Sequence, residues 1–83
     1  MQEDTEYEKA RRASIQAYHA AMKADALWTV ELAKVFGADA CNARYDPRGG
    51  STPELARLSA NKYAADTHLH KTWDDLRQAR IWP

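Results

Sequence analysis

Two long segments of the chain repeat apolar residues with the period of an α-helix. At about 100° per residue, each segment gathers its apolar residues on one side. The first segment gathers Tyr7, Tyr18, Ala21, Met22, Trp28, Leu32, Val35 and Phe36, and the second gathers Leu55, Leu58, Ala65, Leu69, Trp73 and Leu76. The sequence contains neither strand-like alternation nor an internal repeat. This pattern predicts an all-α protein with two amphipathic helices.

The first helix has a clear start and an ambiguous end. Thr5 and Glu8 have the spacing of a capping box, and no proline or glycine follows until Gly37. Gly37 either ends the helix or bends it. The residues after it, Ala-Asp-Ala-Cys, are compatible with a helix. We therefore predict that the first helix runs over 5–43.

The second helix follows a segment rich in turn-forming residues. Thr52 suits the N-cap and Pro53 suits the first helical position. These signals predict a loop over 44–51 and a second helix over 52–80. A connection this short makes the two helices antiparallel, so we predict that the chain, 1–83, is a single helical-hairpin domain.

A turn centred near Pro47 sets the expected register, which pairs Phe36 with the region of Leu58, Trp28 with that of Asp66, and Tyr18 with that of Leu76. The apolar arc of the first helix is wider than one neighbouring helix can cover. A chain of 83 residues also has little core of its own. Both points favour a homodimer in which two hairpins form a four-helix bundle. The alternative is a monomer whose surplus apolar surface is covered by residues 81–83.

Composition and charge exclude several classes of protein. Twelve basic and twelve acidic residues cancel, so no general attraction to nucleic acid or anionic lipid is expected. The single Cys41 excludes an intramolecular disulfide, and no apolar run is long enough to span a membrane. We expect a cytoplasmic protein. No nucleophile and base occur at a suitable spacing, so we expect neither enzymatic activity nor a cofactor.

Three polar residues interrupt the apolar sides. Asp25 falls within the arc of the first helix, and Lys62 and Asp66 fall within or beside that of the second. One interpretation is a polar network in the core or interface that fixes register or oligomeric state. The predicted register places Asp25 nearer Leu69 than Lys62, so that pair would form between two copies. The alternative is that Lys62 snorkels and Asp25 reaches the edge of the interface.

Asp66, His70 and Asp74 recur every four residues and form a column on the second helix. Such a column could supply ligands to zinc or another divalent ion if a second chain completed the shell. A ladder of solvated ion pairs, with Arg77 beside it, is the interpretation that we favour because the column lacks a further ligand. We predict no metal site.

The predicted tip of the hairpin carries the residues most typical of a binding surface. Tyr, Trp and Arg are enriched at protein interfaces. We predict that Arg44, Tyr45, Asp46, Arg48 and Trp82 bind a partner. Gly49 and Gly50, beside a guanidinium and a helix N-terminus, could also hold a phosphate or carboxylate. Turn formation explains these glycines better, because the segment lacks the lysine and spacing of a P-loop.

The leading functional hypothesis is a small cytoplasmic protein–protein interaction module that acts as a homodimer. It would serve as an adaptor, or as an inhibitor of the kind that phages and mobile elements encode, with a larger protein as its partner. The first alternative is a nucleic-acid-binding protein that uses Arg11, Arg12, Lys23, Arg44 and Arg48. The second is a metal-binding protein or metal-dependent enzyme that uses the Asp66, His70 and Asp74 column.

Overall fold

The structure is a computed structural model that describes residues 5–81 and the side chains of residues 5–79. Its α-helices are α1 (Glu6–Phe36), α2 (Ala40–Ala43) and α3 (Pro53–Ile81), and 3-10 turns lie at Gly37–Asp39 and Pro47–Gly50. This part of the chain contains no strand. The prediction of an all-α protein with two long helices is confirmed.

Both long helices begin where their capping signals predict. The Thr5 hydroxyl accepts a hydrogen bond from the Glu8 amide at 3.0 Å. At the start of α3 the Thr52 hydroxyl accepts one from the Leu55 amide at 3.1 Å, and Pro53 is the first helical residue. Each cap satisfies an amide that has no partner within the helix, which fixes where the helix starts.

The first helix ends at Phe36, and the prediction of a helix continuing to residue 43 is wrong. Gly37 adopts φ +58°. This conformation ends an α-helix, and residues that have a Cβ rarely adopt it. Its amide still donates to the Ala33 carbonyl, which closes the last turn. The chain then makes a 3-10 turn and the single turn of α2 in a new direction.

The two long helices pack along each other in opposite directions. Next to residues 37–52, which we call the tip, a buried cluster contains Trp28, Leu32, Ala43, Leu55 and Leu58. Further from the tip, a second cluster contains Ala17, Ala21 and Leu69, with Ala65 beside it. The predicted register is wrong, because Trp28 packs with Leu55 and Leu58 rather than near Asp66. The early end of α1 explains the shift, since it moves the reversal of the chain towards the N-terminus.

The core differs between the two ends of the helix pair. Large side chains fill it beside the tip, where Trp28, Leu32 and Leu55 are almost completely buried. Away from the tip the buried residues of α1 are small: Ser14, Ala17 and Ala21. Small residues let helices approach closely, but they bury little apolar area. The end distant from the tip is therefore the weaker part of the core.

The molecule is elongated and exposes more surface than a compact protein of its size. Its Cα radius of gyration is 16.7 Å, whereas a compact domain of this length has about 12 Å. Its accessible surface is 6229 Å², whereas a compact monomer of this mass exposes about 5,000 Å². In the described residues, no helix is both long enough and apolar enough to cross a membrane.

Candidate binding surfaces

The tip is held against α1 by one buried hydrogen bond. The indole Nε1 of Trp28 donates to the Gly49 carbonyl at 3.0 Å. Gly49 also packs so closely that a Cβ there would lie 2.9 Å from the Ala43 carbonyl oxygen and 3.1 Å from the Trp28 ring. The sequence predicts a turn at Gly49, but the structure adds this close approach, which no local pattern indicates.

Arg44 belongs to the structure of the tip more than to its surface. Its guanidinium lies 4.6 Å from the centre of the Trp28 ring, donates to the Thr29 hydroxyl at 3.1 Å and forms an ion pair with Asp25. Burial lowers the pKa of Arg44, but hydrogen bonds and attraction from Asp25 and Tyr45 together outweigh it, and the pKa is raised overall. Arg44 thus connects the tip to the middle of α1.

Arg48 is held by two carboxylates. It forms ion pairs with Asp39 and, at 2.7 Å, with Asp46, while its backbone amide donates to Asp46 at 2.8 Å. A hydrogen bond from Asn42, together with those from Arg48, lowers the pKa of Asp39. Hydrogen bonds from Arg48 also lower the pKa of Asp46. These contacts hold the tip together around one guanidinium and two carboxylates.

The geometry of the tip favours turn formation over an anion site. The Gly49 amide donates to the Asp46 carbonyl, and the Ser51 amide donates to the Arg48 carbonyl. The Arg48 guanidinium already faces two carboxylates. Tyr45 differs from its neighbours because 83% of its surface is exposed. Of the residues predicted to bind a partner, Trp82 lies outside the described residues.

The polar residues of the long helices find partners within the chain. Asp25 pairs with Arg44, and Lys62 pairs with Asp66 at 2.5 Å on α3. The Lys62 ammonium also lies 4.6 Å from the centre of the Tyr63 ring. Within one chain, Asp25 and Lys62 thus have separate partners, and their pairing between two copies stays a prediction.

The column on α3 is divided among different partners. Asp66 pairs with Lys62, Asp74 lies 3.7 Å from Arg77, and the His70 ring lies 5.2 Å from that of Trp73. Among the residues that the structure describes, no group of three or more His, Cys, Asp or Glu side chains could hold a metal ion. The arrangement matches the ladder of ion pairs.

The basic residues considered for nucleic-acid binding do not form one surface. Arg44 and Arg48 are paired with carboxylates in the tip. Arg11, Arg12 and Lys23 are exposed on α1, where Arg12 and Lys23 lie on the side opposite α3 and Arg11 lies on a flank. A nucleic acid would therefore meet separated positive charges rather than a continuous patch.

A second candidate surface lies on the flank of α1, away from the tip. Ile15, Tyr18 and Met22 follow the i, i+3, i+7 spacing of one helix face, and each is about half exposed. We call these three residues the α1 ridge. On α3, Trp73 is similarly exposed. The apolar periodicity predicts that Tyr18, Met22 and Trp73 face the core, but the structure places them at the margin of the helix contact.

The contact between α1 and α3 instead follows small residues away from the tip and Trp28 and Leu32 beside it. The buried positions of α1 are Ser14, Ala17, Ala21, Trp28 and Leu32. Their spacing of three, four and seven residues is that of a helix pair with heptad packing, and it is present in the sequence. That spacing alone, without regard to side-chain size, predicts the buried positions of α1 and excludes the α1 ridge from them.

No protein-family model, curated protein or solved structure matches this chain.

Proposed function

We propose that this chain is a small, non-enzymatic protein–protein interaction module of the cytoplasm. Its helical hairpin pairs with a second copy to form a four-helix bundle, and the tip binds a larger protein as an adaptor or an inhibitor. The observation that carries this proposal is the surplus of exposed surface, in which bulky apolar residues of both long helices remain half exposed.

The size of the surplus fits self-association. The chain exposes roughly 1,200 Å² more than a compact monomer of its mass would. A stable protein–protein interface buries about 800 Å² or more on each partner. The area that a second copy would cover is therefore similar in size to the excess surface of this chain over a compact monomer. Association would also strengthen the end of the helix pair where the buried residues of α1 are small.

The tip supports the second part of the proposal. Arg44 and Arg48 hold the backbone through ion pairs, and Trp28 anchors Gly49. Tyr45 projects from the tip, which these contacts hold in place, and most of its surface is exposed to solvent. A rigid aromatic side chain loses little conformational entropy on binding and is a typical interface anchor. Tyr45 is thus the residue of the tip best suited to contact a partner.

The experiment for self-association is multi-angle light scattering over a range of protein concentrations from low to high micromolar. The proposal expects a mass twice that of the chain at high concentration and dissociation on dilution. A folded protein with the mass of one chain throughout that range would overturn the homodimer.

The experiment for the tip is affinity capture from the native host with the wild-type chain and with Tyr45→Ser. We expect a protein that the wild type retains and the variant loses, followed by direct binding of that purified protein. Tyr7→Ser is the matched control, because Tyr7 is also an exposed tyrosine but lies near the start of α1, at the end distant from the tip. Equal capture by all three chains would remove the tip from the proposal.

Two other experiments address the alternatives. Salt-dependent retention on DNA or RNA at low ionic strength would favour nucleic-acid binding. Zinc that copurifies with the wild type and is lost in His70→Ala would favour a metal-binding protein. We expect neither result, because the tip arginines face carboxylates and the α3 column is divided among other partners.

A further inference from the structure

The flank of α1 that carries the α1 ridge has a self-complementary charge pattern. Tyr18 stands at its centre. Arg11 precedes Tyr18 by seven residues and Asp25 follows it by seven, so all three share nearly one direction on the helix. Ile15 and Met22 lie beside Tyr18, one on each side along the helix axis. A positive charge, an apolar centre and a negative charge therefore follow one another along this face.

We propose that two copies of this chain pair through these faces of α1, antiparallel, about a two-fold axis at Tyr18. The inference rests on the homodimer proposed above and names its interface and direction. In this arrangement Ile15 of each copy packs near Met22 of the other, and Arg11 of each copy meets Asp25 of the other. A two-fold interface needs a surface that is complementary to itself, and this face satisfies that condition.

Charge selects the antiparallel direction. A parallel pair in register would bring Arg11 against Arg11 and Asp25 against Asp25, and like charges repel. The antiparallel pair replaces these contacts with two attractive ones. Asp25 can accept a second guanidinium because Arg44 contacts only its Oδ1 atom, and a carboxylate offers lone pairs on both oxygens. Arg11 is exposed and forms no ion pair among the described residues.

The neighbouring helix adds to the same side of the molecule. Trp73 follows the buried Thr72 on α3, so it lies about 100° further around that helix. The α1 ridge lies in the same rotational direction from the buried positions of α1. In an antiparallel pair of right-handed helices, that rotation leads to the same side for both helices. The Trp73 ring is thus placed to extend the apolar surface of the interface. On the opposite side of the helix pair, the described residues of α1 include no aromatic side chain.

The first test is the dissociation constant of the homodimer, measured by sedimentation equilibrium. Met22→Glu should weaken dimerisation by at least about a hundredfold, because it places a carboxylate in an apolar contact twice per dimer. Leu27→Glu is the matched control: Leu27 is 50% exposed and Met22 is 53% exposed, but Leu27 lies about 140° around the helix. The control should dimerise like the wild type.

The second test concerns the charges. Arg11→Glu should weaken dimerisation by about tenfold at low salt, and the effect should shrink at high salt. Lys23→Glu makes the same change of charge on the other side of α1 and should have little effect. Circular dichroism of each variant at the concentrations used would show that the helices are retained.

The third test uses Cys41, which is exposed in the tip, as the attachment point for a spin label. In the antiparallel dimer the two labels should be about 50–60 Å apart, since each tip lies some 19 residues from the axis at about 1.5 Å per residue. In a parallel dimer they would be closer than about 25 Å.

The outcomes separate this inference from the homodimer on which it rests. A dimer that survives Met22→Glu as well as it survives Leu27→Glu would overturn the α1 interface while leaving the homodimer intact. A short distance between labels would overturn the antiparallel direction. A chain that stays single at every concentration would overturn both the homodimer and its interface.

Discussion

Trp28 and Gly49 form a contact that joins the C-terminal half of α1 to the tip. The Trp28 indole donates to the Gly49 carbonyl, and the missing side chain of Gly49 leaves the space that the ring occupies. Leu32 and Leu55 pack in the same cluster, so the hydrogen bond lies within the best-buried part of the molecule. This contact fixes how the tip folds across the ends of α1 and α3.

Gly49→Ala should destabilise the fold by about 1–3 kcal/mol, the usual cost of overpacking. The added Cβ would lie 2.9 Å from a backbone oxygen, which cannot move without disturbing α2. The measurement is the free energy of unfolding in urea at constant protein concentration. Gly50→Ala is the control, because its Cβ would meet nothing closer than 3.9 Å. Equal stability of the two variants would contradict the close packing.

Gly37→Ala should also destabilise the fold, by about 1 kcal/mol or more, for a different reason. An added Cβ would meet nothing within 4 Å, but the residue holds φ +58°. The cost therefore comes from the backbone alone. Chemical synthesis with D-alanine at this position provides the control, because a D-residue favours positive φ. The D-alanine protein should be at least as stable as the wild type, and a loss equal to that of L-alanine would refute the argument.

The sequence predicted those features of the fold that local interactions decide. Thr5 and Thr52 cap helices through residues three positions away, so their effect is visible in a short window of sequence. The end of α1 was harder, because Gly37 can end a helix or continue it. The choice depends on whether packing Ala43 into the buried cluster around Trp28 stabilises the chain more than a continuous helix would.

The binding surfaces could be predicted only in part. The exposure of Tyr45 follows from its place in a turn, where an aromatic side chain has no core to enter, whereas its binding to a partner stays a prediction. Arg44 and Arg48 are predicted to bind a partner because arginine is enriched at interfaces. Their ion pairs with Asp25 and Asp39 could not be predicted, since these depend on how the tip folds. Along α1 the prediction was correct for Trp28 and Leu32, which are buried, and wrong for Tyr18 and Met22, which lie beside the contact and are about half exposed.

The ion pair between Asp25 and Arg44 should contribute measurably to stability. It is partly buried, and Arg44 also stacks on Trp28. A double-mutant cycle with Asp25→Asn and Arg44→Met should give a coupling energy of about 1 kcal/mol, above that of an exposed pair. The exposed pair of Lys71 and Asp75 supplies the comparison. A coupling no larger than in that pair would show that Arg44 is held by stacking rather than by charge.

The charge cluster around Arg48 should make stability depend on pH in the acid range. The pKa values of Asp39 and Asp46 lie below the ordinary 3.8. The unfolded chain therefore takes up protons at a higher pH than the folded chain does. The resulting stabilisation is complete above about pH 5 and is lost as the pH falls through the lowered pKa values of the folded state.

Arg48→Gln tests this dependence, because it removes the guanidinium that both carboxylates face. Its stability, from urea unfolding at a series of pH values, should fall below that of the wild type at neutral pH. The difference should shrink as the solution is acidified, since protonated carboxyls no longer attract the guanidinium. In a background with Asp39→Asn and Asp46→Asn, the same substitution should lose its pH dependence. A difference that stays constant from neutral to acid pH would mean that Arg48 stabilises the tip by packing over the Phe36 ring and not by charge.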